Sequence, residues 1–362
     1  MSAQAVALSP ELVREVDTYE GVCAALQSAI ELEHATIPPY LYALYSLKPG
    51  PQGKPGPNGA IAELIGSIVA EEMAHLALAC NILNAIGGAP VIDSPSFVPS
   101  YPGHLPGGVE GSLEVRLDRF SKELVSDVFM VIEKPDEPLD IKTLERFAVR
   151  EAEPITIGDF YRAILAGLGK LDSSVWVADH SRQVHGAPAT PEVTEVVDLA
   201  TAAKAIGVIV DQGEGTTQSP IDPETGTPAH YYRFQEIVKG RTLIATREPP
   251  PPLTPEDFVY GGTPIPFERA GVYPVVANPQ ASDYPAGSAA RTACNNFNYT
   301  YTTLLRSLHA TFNGSPQLLG QAIGVMMSLE DQATALMTVP LGNGTNAGPS
   351  FEYQPVNPAM LV

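Results

Sequence analysis

A chain of 362 residues with 44% hydrophobic and only 17% charged residues can build one large or two modest cores and is not a disordered polymer. Its formal charge of −20 argues against nucleic acid and anionic membrane surfaces as partners, because both reward basic patches. There is no signal-peptide pattern near Met1 and no apolar run of the roughly 18–20 residues that would span a bilayer, so a cytoplasmic location is expected. Three widely spaced cysteines, Cys23, Cys80 and Cys294, are too few for a disulfide scaffold and read as free thiols.

The elements follow from helix-start signals and periodicity. Ser9-Pro10-Glu11, Thr190-Pro191-Glu192, Thr254-Pro255-Glu256 and Ser315-Pro316-Gln317 each place a capping residue before a proline at the first helical position. A first helix is predicted over about 10–47 and a second over about 59–86, joined by a Pro- and Gly-rich loop from Lys48 to Gly59. The second ends at Gly87-Gly88. Pro90 to Gly111 reads as irregular, Leu117 to Glu133 as holding one short helix, and Lys134 to Pro138 as a break. Further helices are predicted over about 157–171, 191–213 and His230 to Val238. Pro249 to Pro252 is a four-proline run, and 253–292 reads as ordered coil anchored by Phe258, Tyr260, Phe267 and Tyr273. A helical pair at about 295–313 and 315–338 precedes a Gly/Asn/Pro-rich tail.

The chemistry is announced by polar residues in apolar stripes. Along the second helix runs Ile61, Ile65, Ile68, Glu72, His75, Ala79, Ile82, Ile86, alternating steps of four and three. Along the first runs Leu26, Ile30, Glu33, Ile37, Tyr40, Leu44, Leu47. Burying Glu33, Glu72 and His75 unpaired would cost several kcal/mol or more, and a divalent metal between the helices would resolve that cost. Glu72-x-x-His75 puts both side chains on one helical face, within reach of one ion. Carboxylates with an imidazole suit iron or manganese better than structural zinc. Glu31 and Glu71 fall off the stripes, and His34 lies beside one. Pro38-Pro39 withholds two N–H donors from the carbonyls of His34 and Ala35. It reads as a kink that opens the bundle beside Glu33, or as the end of one helix and the start of another.

Glu33 followed by Tyr40-Leu41, and His75 followed by Gly87-Gly88, resemble ferritin-like proteins. Glu31 to Leu41, Glu71-Glu72-Met73-Ala74-His75, Thr156 to Tyr161, Asp211 to Gly215 and His230-Tyr231-Tyr232-Arg233-Phe234 look more specifically like the VioB-type ferritin-like family, which includes iminophenyl-pyruvate dimer synthases. A looser match lies at Ala347-Gly348-Pro349. The resemblance implies a mainly α, ferritin-like four-helix bundle over 1–240, with an insertion at about 89–154, and a Pro-rich, partly helical extension over 241–362. Such bundles hold two metal ions with a Glu from each of two helices and Glu-x-x-His from each of the others. By that resemblance the ligands would be Glu33, Glu72, His75, Asp159, Glu214 and His230. The back half departs from the pattern: fifteen residues separate Glu214 from His230, and Thr156-x-x-Asp159 is also a capping box. The implied function is a non-haem oxidase or oxygenase with two irons, or manganese, that uses O₂ or peroxide on a small, amino-acid-derived molecule, with a homo-oligomer allowed. Ferroxidase or manganese-catalase-like activity, and a metal-free interaction module, are the alternatives.

Overall fold

The computed structural model describes residues 16–51, 54–135, 138–139, 155–177, 180–186, 191–216, 218–223 and 225–355. The start signals at Ser9-Pro10 and Thr190 lie outside or at the edge of these ranges. Two 27-residue helices, α1 (Tyr19–Tyr45) and α2 (Gly59–Ala85), form the spine. Thr18 caps α1, its hydroxyl accepting from Gly21 N at 3.1 Å. Helix α2 ends as its glycines require. Gly87 has φ +82°, Gly87 N donates to Asn84 O and Gly88 N to Leu83 O, which is a Schellman closure.

Pro38 and Pro39 lie inside α1, which stays one helix through them. The carbonyl that Pro39 leaves without its helical donor is Ala35 O, and the Tyr101 hydroxyl donates to it at 2.8 Å. The loop after α2 thus supplies a hydrogen bond that the sequence of α1 gives up. Tyr101→Phe is expected to destabilise by about 1–3 kcal/mol, the cost of an unsatisfied buried acceptor. In a Pro39→Ala background the restored N–H can reach Ala35 O, so the same substitution should cost clearly less. A denaturation double-mutant cycle measures the difference, and additive losses would refute the exchange.

A short helix α3 runs through Lys122–Leu124, a π-helical stretch Val125–Phe129 and Met130–Ile132. Then follow α4 (Ile157–Leu168), α5 (Leu199–Gly213) and α6 (His230–Lys239). Helix α1 packs on α2, α2 on α5, α5 on α4, and α4 back on α1, closing a four-helix bundle. Helix α5 starts later than Pro191 because Asp198 and Thr201 form a reciprocal capping box. The extended residues before it borrow side chains as hydrogen-bond partners: Gln183 bonds both N and O of Val196, and Asn81 donates to Thr194 O.

A two-stranded antiparallel ribbon follows α6, and its second strand lies within the 253–292 stretch expected to be coil. Strand β1 (Arg241–Ala245) pairs with β2 (Phe258–Pro264), with Leu243 opposite Tyr260 and Ala245 opposite Phe258. Their β-branched and aromatic residues favour strands. The proline run between them is gripped by Arg247, which donates to Pro251 O, Pro252 O and both carboxylate oxygens of Asp257. The closing pair α7 (Ala289–Phe312) and α8 (Leu319–Met337) packs against α1 and α2, and Phe297, Tyr301, Leu305 and Leu329 join the bundle's own core. All three cysteines are free, and among the described residues no helix is long and apolar enough to cross a membrane.

Candidate metal centre

Three carboxylates and two imidazoles meet inside the bundle. Glu33 comes from α1, Glu72 and His75 from α2, Glu133 from the residue after α3, and His230 from the first turn of α6. Each is at most 3% exposed. His75 Nδ1 is 3.6 Å from Glu33 Oε2 and 3.8 Å from Glu72 Oε1. His230 Nδ1 is 2.7 Å from the same Glu72 oxygen and 3.4 Å from Glu133 Oε2. Glu72 Oε1 therefore stands between two half-sites, Glu33 with His75 and Glu133 with His230. The two imidazole rings lie nearly parallel, 5.4 Å apart.

What surrounds the cluster fixes which atoms face inward. The Tyr161 hydroxyl donates to Glu33 Oε1 at 2.6 Å, Tyr40 to Glu133 Oε1 at 2.6 Å, and Thr36 to Glu72 Oε2 at 2.9 Å. Each carboxylate thus has one oxygen tied outward and the other turned to the centre. The imidazoles follow the same plan. His75 Nε2 pairs with Gln212 Oε1 at 2.9 Å, and His230 Nε2 pairs with Glu71 Oε2 at 2.9 Å. A carboxamide oxygen or a carboxylate only accepts, so each Nε2 carries the proton and each Nδ1 can present a lone pair. Outer partners of this kind are what orient metal-binding imidazoles.

The electrostatics ask for positive charge. Burial pushes His230 down, but the neighbouring Glu133, Glu71 and Glu72 carboxylates outweigh it and hold the imidazole well above its usual range. His75 is likewise pulled up against burial by Glu33 and Glu72. Burial and the Glu72 charge push Glu133 up. These are the shifts of crowded carboxylates that bind any available cation, proton or metal. Among the described residues, His230 Nδ1 also finds no hydrogen bond of acceptable geometry, although two carboxylate oxygens are near it. An orphaned nitrogen between two carboxylates fits a metal ligand, and Glu72, His75 and His230 can each offer an atom to one ion.

Glu71 anchors the outer side. Arg233 reaches both of its oxygens, with Nη1 3.0 Å from Oε1. Burial raises this carboxyl, but His230 and Arg233 together hold it down at about 2. A depressed carboxyl contributes stability above its unfolded value of about 4.3 and loses it as pH falls towards about 2. Metal-free Glu71→Gln should therefore melt below wild type at pH 6, with the gap closing between about pH 4 and 2. A gap independent of pH would refute this role.

The structure brings together four of the expected residues, Glu33, Glu72, His75 and His230, and places two elsewhere. Asp159 is about half exposed in the first turn of α4, where Thr156 accepts from its N–H and Arg162 pairs with its carboxylate at 2.7 Å. Glu214 caps the end of α5, and its Oε1 accepts from Gly158 N at 2.6 Å, at the N-terminus of α4. A negative side chain there suits the helix dipole. A Cβ on residue 158 would sit 3.0 Å from the Glu214 carboxyl carbon, so the glycine makes room for this contact. Glu133, which the stripe pattern does not reveal, stands beside His230 instead. The available signal is a carboxylate that follows Val125, Val128, Phe129 and Ile132, all buried, just before the Lys134-Pro135 break.

Comparison with known proteins agrees with this architecture. Residues 26–239, more than half of the chain, match the ferritin-like family model. The crystal structure of a ferritin-like protein from Caulobacter vibrioides aligns over 93% of this chain and 99% of its own, with a TM-score of 0.59 and 26% identity. None of the curated proteins matches the sequence. A bundle of this topology, with its buried carboxylates and histidines on the first two helices and that family match over most of the bundle, makes the chain a member of the ferritin-like family.

Proposed function

We propose that this chain is a non-haem metal oxidoreductase that binds two iron or manganese ions and oxidises a small organic molecule with O₂ or peroxide. The observation that carries the reading is the set of five inward atoms, Glu33 Oε2, His75 Nδ1, Glu72 Oε1, Glu133 Oε2 and His230 Nδ1, each backed by an outer hydrogen bond on its other oxygen or nitrogen. Glu33 with His75 would hold one ion, Glu133 with His230 the other, and Glu72 would lie between them. Bound there, iron or manganese would supply the one-electron redox chemistry that O₂ or peroxide requires. Oxygen-rich donors with one imidazole per half-site suit either metal.

The chain's own part is to keep that set rigid and dry. Tyr40, Tyr161 and Thr36 hold the carboxylate orientations, Gln212 and Glu71 hold the imidazole tautomers, and Arg233 balances the Glu71 charge. The VioB-type resemblance favours an amino-acid-derived substrate over iron storage. The deciding experiment is metal content per chain after expression with iron and manganese supplementation, wild type beside Glu72→Ala. Near two ions per chain, lost in the variant, is the expected result. One ion would mean that a single half-site binds. None in a well-folded protein would overturn the proposal in favour of a metal-free module.

A further inference from the structure

A cavity of about 270 Å³ lies between the bundle and the C-terminal helical pair, bounded by α1, α2, α7 and α8. Its wall is aliphatic, proline, methionine and phenylalanine except for two polar side chains, His34 and Tyr301, and among the described residues no charged side chain lines it. Those two are bonded to each other, with the Tyr301 hydroxyl 2.7 Å from His34 Nε2. The other imidazole nitrogen, His34 Nδ1, is buried and has no hydrogen-bond partner among the described residues. A fold that spends a histidine on an apolar wall and leaves one nitrogen unpaired forgoes about 1–3 kcal/mol unless something else supplies the partner.

We infer that this cavity is a binding site for a neutral, apolar small molecule carrying one hydrogen-bonding group, which His34 Nδ1 receives. None of the five residues of the metal cluster lines the cavity. On α1 it is lined by His34, Ile37, Pro38 and Leu41, of which only Ile37 shares the Glu33 stripe; the other three lie about 80–140° from Glu33 at about 100° per residue. Its assignment does not rest on the metal reading. The size sets the class of ligand. An apolar cavity of about 150 Å³ takes up benzene, so this one fits a fused bicyclic aromatic or a body of similar bulk. A wall without a charged group rejects ionised ligands, because none of their charge would be paired. The polarity of the head group is left free by the Tyr301 contact. If the tyrosine donates to Nε2, Nδ1–H donates to the ligand; if Nε2–H donates to the tyrosine, Nδ1 accepts.

The probe is therefore 1-naphthol, which can donate or accept, with naphthalene as the partner that can do neither. Binding to the full-length protein is followed by calorimetry and probe fluorescence. Wild type should bind 1-naphthol at least about five-fold more tightly than naphthalene, the worth of one hydrogen bond. His34→Leu should remove that preference and keep naphthalene binding. Ala322→Phe, which fills the cavity from α8 and leaves His34 in place, should weaken both ligands by about ten-fold or more. Circular dichroism melts check that each variant folds, and the wild-type comparison stands without either. No binding of 1-naphthol to wild type would overturn the proposal. So would equal affinity for the two probes, or unchanged binding in folded Ala322→Phe.

Discussion

Glu133→Gln is expected to lower affinity for iron or manganese by about 10–100-fold or more, while Glu214→Ala leaves metal content unchanged. The two residues compete for the same role, since both are buried carboxylates in the back half of the bundle. Their neighbours separate them. Glu133 Oε2 is 3.4 Å from His230 Nδ1, and its other oxygen is fixed by Tyr40. The Glu214 carboxylate is held by the N-terminus of α4. Glutamine at 133 keeps an acceptor for Tyr40 and removes only the charge, so the metal-free protein should fold and melt close to wild type. What should shrink is the rise in melting temperature on adding metal, because a ligand's stabilisation grows with the logarithm of its concentration over its dissociation constant. Glu214→Ala should show the opposite pattern: a loss of about 1–3 kcal/mol with or without metal, and an intact metal-dependent rise. If Glu214→Ala empties the site and Glu133→Gln does not, the ligand set proposed here is wrong.

Why Glu33, Glu72 and His75 can be placed from sequence and Glu133 cannot is a matter of helical phase. The first three sit in long helices with unbroken spacing, so a polar residue in the stripe is a polar residue in the core. Glu133 follows a π-helical stretch, where the wider turn slides every later side chain out of phase. It also closes a three-part helix too short to show a stripe of its own. His230 is legible only through its resemblance to a family block, because an isolated histidine before two tyrosines carries no periodicity. Asp159 and Glu214 lie away from the cluster for local reasons. Each fits a family position, yet the Asp159 carboxylate pairs with Arg162 in the first turn of α4, and the Glu214 carboxylate accepts from Gly158 N at the start of that helix. The ribbon of β1 and β2 escapes notice for a different reason: the Pro and Gly residues around it mask two short strands that only their pairing makes visible.

Gly348→Ala is expected to cost about 2–4 kcal/mol, a large effect for one methyl group. The segment Ala347-Gly348-Pro349 lies across α1, and its backbone is clasped by Tyr284, whose hydroxyl accepts from Gly348 N at 2.9 Å and donates to Gly348 O at 2.8 Å. A Cβ at 348 would meet the Tyr42 hydroxyl and sit 2.7 Å from its Cζ. Tyr42 cannot swing aside, since its ring is fully buried and its hydroxyl donates to Val276 O. Overpacking of this kind costs about 1–3 kcal/mol, and displacing the Tyr284 clasp adds about 1 more. Gly324→Ala is the matching control. That glycine lies within α8 with nothing within 4 Å of its added Cβ, so alanine there should stabilise by about 0.4–1 kcal/mol. Chemical denaturation of the two variants checks both signs. If Gly348→Ala lowers the midpoint of a single transition, the tail and the bundle unfold together, as the core shared by α1, α7 and α8 requires. If it instead creates an early, separate transition, the extension is an independent unit laid on a bundle that does not need it.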